Sequence, residues 1–154
     1  MTVVDIHQKH NNKNGYKLLD AFVGKWNTIG HFQTDASEPL VTITGTDTYE
    51  WLPGGFFLLH RVDVQMGNEK NETLEIIGYD EKSNTYPMHY FDNKGNTGSM
   101  QANFDNGTWT FLGESMRFTG GFREEGKILS GIWEQSFNGT EWVPLMDIKL
   151  TKAN

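Results

Sequence analysis

The chain has 154 residues, a net charge of −7, no cysteine, and 13% aromatic residues, five Trp and ten Phe among them. That length fits one domain with a sizeable core, and the lack of cysteine excludes a disulfide framework and thiolate chemistry. An acidic chain whose only arginines are Arg61, Arg117 and Arg123 is a poor match for nucleic acid or an anionic membrane surface.

Residues 1–15 are polar, with His7 and His10 among them, and read as a mobile tail. Two histidines without a third ligand do not make a metal site. No secretory signal and no transmembrane run stand out, so a cytoplasmic protein is expected. From Tyr16 to Val23, the residues Leu18, Leu19, Phe22 and Val23 recur at helical spacing, and Gly24 ends the run. One or two helical turns are expected there, capping one end of the fold. The rest of the domain, 16–154, reads as strands, at about 25–34, 41–51, 56–66, 73–80, 85–91, 97–104, 108–113, 115–124, 127–137 and 140–151. The second and third alternate most clearly: Ile43, Asp47, Tyr49 and Trp51 share one face, as do Leu58, His60, Val62, Val64 and Met66.

Hairpin turns fix the register. Asn106-Gly107 suits a two-residue turn needing positive φ at both positions. It pairs Phe104 with Trp109 and Ala102 with Phe111. Glu125-Gly126 pairs Phe122 with Leu129 and Phe118 with Trp133, and Asn138-Gly139 pairs Trp133 with Pro144 and Leu129 with Ile148. Asn-x-Thr triplets begin at Asn71, Asn106 and Asn138, and the last two read simply as these turns. Phe118, Phe122, Leu129, Trp133, Met146 and Ile148 then share an inner face, while Arg117, Arg123, Glu134, Asp147 and Lys149 share an outer one. This is the pattern of an all-β, roughly ten-stranded antiparallel up-and-down barrel, which removes its edges by closing. Ten strands enclose more space than side chains need, so a lumen is expected, hollow or filled by aromatic rings.

Gly24-Lys25-Trp26 after a short helix resembles the Gly-x-Trp start of the calycins, the lipocalins and fatty-acid-binding proteins. The block Tyr49-Glu-Trp-Leu-Pro-Gly-Gly-Phe-Phe-Leu-Leu-His60, followed by Ile77-Gly-Tyr-Asp80, resembles the bacterial family called domain of unknown function 1579. The resemblance covers about 18–150 and implies a calycin-like barrel without an established activity. Lipocalins place an Arg near the chain end over the Trp, where this chain offers Lys149. The Arg-x-Tyr that holds a fatty acid's carboxylate is absent, with Lys149-Leu-Thr151 in its place. The C-terminal His of the haem-binding nitrobindins is absent too, since the last His is His89.

His60 is the sharpest polar candidate, lying between Leu58 and Val62 on the apolar face. A turn over Pro53-Gly54 sets Asp47 directly opposite it; a bulge at Gly55 would bring Arg61 there instead. An Asp–His pair inside a barrel is either a satisfied structural pair or a histidine oriented to bind or deprotonate a ligand. No Ser or Cys elbow accompanies it. His31, His60 and His89 lie on separate strands without ligand-type spacing. Pro87 suggests a gap in the sheet, with Tyr86, His89 and Tyr90 as candidate rim residues. The expected function is a barrel binding a small, mostly apolar ligand against Trp26, Asp47, Tyr49, Trp51, His60, Val62, Tyr90, Phe118, Trp133 and Met146. No cofactor is called for, and a homodimer is left open. The alternatives are an enzyme using His60 as general acid or base, a haem or metal carrier of nitrobindin type, and an interaction module with a packed core.

Overall fold

The structure, a computed structural model, describes residues 14–154; His7, His10 and the expected tail up to residue 13 lie outside the described residues. Helix α1 spans Asn14–Leu19 and continues as a 3-10 turn over Asp20–Phe22, so it starts before the apolar spacing does. Leu19 and Phe22 are core residues, whereas Leu18 is exposed.

Ten strands follow: β1 Gly24–Phe32, β2 Val41–Trp51, β3 Leu58–Met66, β4 Glu69–Ile77, β5 Tyr86–Asp92, β6 Thr97–Asp105, β7 Thr108–Leu112, β8 Met116–Arg123, β9 Ile128–Gln135 and β10 Val143–Lys152. Each is hydrogen-bonded to the next, and β1 also pairs with β10. The sheet is therefore a closed antiparallel barrel, and closure satisfies the backbone groups that an edge would leave open. The expected gap beside Pro87 does not occur, because β5 pairs with both β4 and β6. The Gly78 N–H donates to the Pro87 carbonyl at 2.9 Å, so the proline joins the sheet as an acceptor.

Two of the expected turns hold their register. Asn106 and Gly107 both have positive φ, and Phe104 faces Trp109. Glu125-Gly126 sits at the centre of the β8–β9 turn, and Phe118 faces Trp133. The third is displaced. Trp133 faces Met146 rather than Pro144, and Leu129 faces Leu150 rather than Ile148. Asn138 explains the difference: its Oδ1 accepts the N–H groups of Thr140 and Glu141 at 3.0 and 2.9 Å, folding a longer loop. A bulge between Pro144 and Met146 completes the shift. A slip of two residues preserves the face, so Met146 and Ile148 still point inward.

The β2–β3 turn is displaced in the same way. It centres on Gly54-Gly55, both with positive φ, and closes through the Leu52 N–H donating to the Phe57 carbonyl at 2.9 Å. Tyr49 therefore faces His60, and Asp47 faces Val62. The bulge that would have brought Arg61 opposite Asp47 does not form.

Gly120 and Gly131 face each other on β8 and β9. A methyl at Gly131 would meet the Thr119 carbonyl at 2.4 Å and the Phe118 ring at 2.6 Å. The glycine pair lets that ring lie flat along the inner wall. Gly131→Ala is expected to cost about 1–3 kcal/mol, as overpacking does, and thermal unfolding followed by circular dichroism checks it.

The end of the barrel beneath α1 is plugged by aromatic rings. Trp26, Trp109, Tyr86 and Phe22 are essentially inaccessible to solvent. The Phe22 ring lies within 5.2 Å of Tyr49, 5.1 Å of Trp109 and 4.9 Å of Phe122, centroid to centroid. Three of the polar tips around the plug have partners close at hand. Trp26 Nε1 donates to the Phe22 carbonyl, Trp51 Nε1 to Asp20 Oδ1 and the Tyr86 hydroxyl to the Gly15 carbonyl, each at 2.7 Å. Burial pushes the Tyr86 hydroxyl up to about 12, helped by neighbouring Tyr79. The cation over the Trp26 ring is Lys152, 5.3 Å from its centroid, and not Lys149, which lies on the outer face.

Candidate functional site

Beyond the plug the barrel encloses a cavity of about 880 Å³. Strand parity decides what lines it. On β2 and β3 the inward residues next along from Trp51 and Leu58 are Tyr49, Asp47 and His60, then Val62 and Val64. The cavity floor is therefore polar on this wall. β8 stands five strands from β3 around the ring, hence across the lumen. It contributes Phe118, whose ring lies 4.8 Å from Phe111 and 5.4 Å from Trp133. An aromatic wall thus faces a polar one.

The polar wall is a single chain of hydrogen bonds across four strands. Thr28 Oγ1 on β1 donates to Asp47 Oδ1 at 2.5 Å. His60 Nε2 bonds Asp47 Oδ2 at 2.6 Å, and His60 Nδ1 bonds Glu75 Oε1 on β4 at 2.9 Å. The Tyr49 ring covers the imidazole with centroids 3.9 Å apart. Asp47 and Glu75 are 6% and 5% exposed, and His60 is 9%, so water screens none of these contacts well. Burial alone disfavours the imidazolium, but hydrogen bonds and charge from Asp47 and Glu75 outweigh it and raise His60 to about 9. Burial likewise pushes the Tyr49 hydroxyl up, and the two carboxylates push it further, so it stays neutral.

Protonated His60 donates both N–H groups to protein carboxylates. It therefore offers a ligand neither a lone pair nor a free N–H, and as a general base it would first have to leave Asp47 or Glu75. Glu75 Oε1 is occupied as well. Its Oε2 has no hydrogen-bond partner among the described residues, although Glu75 lines the cavity.

Eight of the ten residues named from the sequence line this cavity: Asp47, Tyr49, His60, Val62, Tyr90, Phe118, Trp133 and Met146. Trp26 and Trp51 do not; both belong to the plug beneath α1. Tyr86 also points into that plug, and His89 is exposed on the outer face, so of the candidate rim residues Tyr90 alone reaches the lumen. His31 bonds Asp147 outside the barrel at 3.1 Å, so His31, His60 and His89 do not converge on a common point. The sequence reading missed Glu75. Its signal was Gly67-Asn68, a two-residue turn that joins β3 to β4 and sets Glu75 opposite His60.

No helix among the described residues is long and apolar enough to cross a membrane. A search of curated proteins returned no match. Among solved structures, the barrel is similar to Rv2717c from M. tuberculosis, with a TM-score of 0.66 and 9% identity over 92% of this chain and 99% of that one. At that identity the likeness shows the ten-stranded barrel and nothing of its chemistry. The match that reaches the sequence itself is to the family described as Protein of unknown function (DUF1579), whose pattern fits residues 11–123 and to which this chain belongs.

Proposed function

We propose that the barrel is a binding protein for a small, mostly apolar molecule carried in its lumen. The observation that carries this reading is the cavity of about 880 Å³, with an aromatic wall on one side and a buried, hydrogen-bonded polar chain on the other. Small-molecule sites combine these features: a few hundred to about 1,000 Å³, mostly apolar, with a few placed polar groups. Apolar burial would supply the affinity, and the polar wall would orient one end of the ligand. The reading takes the protein to be cytoplasmic, in keeping with a sequence free of cysteine. An acid–base enzyme is less well supported, because both His60 nitrogens are already engaged.

The test is titration with the neutral fluorophore N-phenyl-1-naphthylamine, together with native mass spectrometry of the protein as purified. A blue-shifted, saturable signal is expected. Met146→Trp, which puts a larger ring into the lumen, is expected to weaken binding about tenfold or more. A protein that binds no fluorophore and carries no adduct would sink the proposal.

A further inference from the structure

The lumen's charge singles out one class of ligand. Neither Lys nor Arg lines the cavity, whereas Asp47, Glu75 and Glu114 do. The one lumenal cation, the His60 imidazolium, is already held by two of those carboxylates. Three carboxylates against one imidazolium leave the lining net anionic, and a cation entering it meets no lysine or arginine.

Building on the lumenal-binding reading, we infer that the ligand is an apolar amine: a protonated nitrogen set against Glu75 and an apolar body laid along Phe111, Phe118 and Trp133. Glu75 Oε2 marks the place. The side chain is more than nine-tenths buried, its other oxygen accepts from His60, and Oε2 lacks a donor among the described residues. A buried carboxylate oxygen without a donor is costly, and an ammonium N–H would satisfy it with a charge-assisted bond. Asp47 is the poorer anchor, since Thr28 and His60 each already hold one of its oxygens. The aromatic wall across the barrel suits the same ligand. Ring faces take an alkyl or aryl body, and they attract rather than repel a nearby cation. A fatty acid has the opposite fit, because its carboxylate would lie beside Glu75 in a low dielectric, with no lysine or arginine to receive it and both His60 N–H groups already engaged. A neutral alcohol could donate to Oε2 but would leave the wall's charge unbalanced.

The experiment compares three probes of one chain length, decylamine, decanol and decanoate. Each displaces N-phenyl-1-naphthylamine from the full-length protein at pH 7. Decylamine is expected to bind at least about tenfold more tightly than decanol, and decanoate most weakly. Glu75→Gln is expected to cut decylamine's advantage over decanol to less than about threefold. Equal binding of the three, a preference for decanoate, or an undiminished amine preference in Glu75→Gln overturns the inference and leaves the lumenal site standing. Displacement by none of them overturns the inference alone; only an unaltered protein that binds no fluorophore and carries no adduct overturns the lumenal reading with it. Should Glu75→Gln not fold, the order of the three probes on the unaltered protein decides the matter alone.

Discussion

His60→Leu is expected to destabilise the barrel by about 3–5 kcal/mol, the range seen when one partner of a buried ion network is removed. The size of the effect comes from what is left behind. Asp47 and Glu75 are 6% and 5% exposed, and His60 supplies the charge that both of them face. Without it, Thr28 still bonds one Asp47 oxygen, but nothing among the described residues compensates Glu75. Leucine fills most of the space, so the cavity it leaves is a minor part of the loss. Urea denaturation at pH 7 measures the change. A companion triple variant, Asp47→Asn with His60→Leu and Glu75→Met, removes both orphaned charges together. It is expected to be more stable than His60→Leu alone, because well-packed apolar groups can replace a buried ion network. If His60→Leu costs less than about 1 kcal/mol, or the triple variant is the weaker of the two, the network is not what holds these strands in place.

The same network shows why some of the site was legible in the sequence and some was not. Asp47 and His60 were recognisable together although the expected register of β2 against β3 was wrong. The error was two residues, and a slip of two leaves every side chain on its own face; a slip of one would have turned His60 outward. Parity was thus the robust part of the reading, and turn geometry the fragile part. The fragile turns are those where a side chain or a glycine pair lengthens the loop, Asn138 in one case and Gly54-Gly55 in the other. Glu75 was hidden because β4 opens on Glu69, Lys70, Asn71 and Glu72, which have no apolar alternation. Pairing with β3 makes that stretch a strand, and pairing is not a local property of the chain. Trp26 and Trp51 sit on the correct face but at the wrong depth. Alternation tells which way a side chain points, whereas depth along the barrel depends on where α1 docks, and the Asp20–Trp51 and Phe22–Trp26 hydrogen bonds fix that.

Stability is expected to fall by on the order of 3 kcal/mol as the pH rises from about 6.5 to beyond 9. His60 supplies the reason. In the unfolded chain its imidazole titrates near 6.5, and in the barrel Asp47 and Glu75 overcome the burial penalty and hold it at about 9. Below the unfolded value both states carry the proton, and the full stabilisation is present. Between the two values the folded state binds more protons than the unfolded one, so each rise in pH favours unfolding. Above the folded value the proton is gone from both states, and the buried carboxylates face a neutral ring. The direction is opposite to that of an acid-labile carboxylate pair, which loses stability as the pH falls. Surface pairs such as Lys70–Asp63 and Lys94–Glu69 contribute little to the slope in this window, being exposed and screened. Urea midpoints measured from pH 6 to 10 on the unaltered protein and on His60→Leu isolate the effect. The alkaline decline is expected in the first and absent in the second. An identical decline in both would place its origin elsewhere and would mean that His60 is neutral inside the barrel, leaving the floor of the lumen with two uncompensated carboxylates.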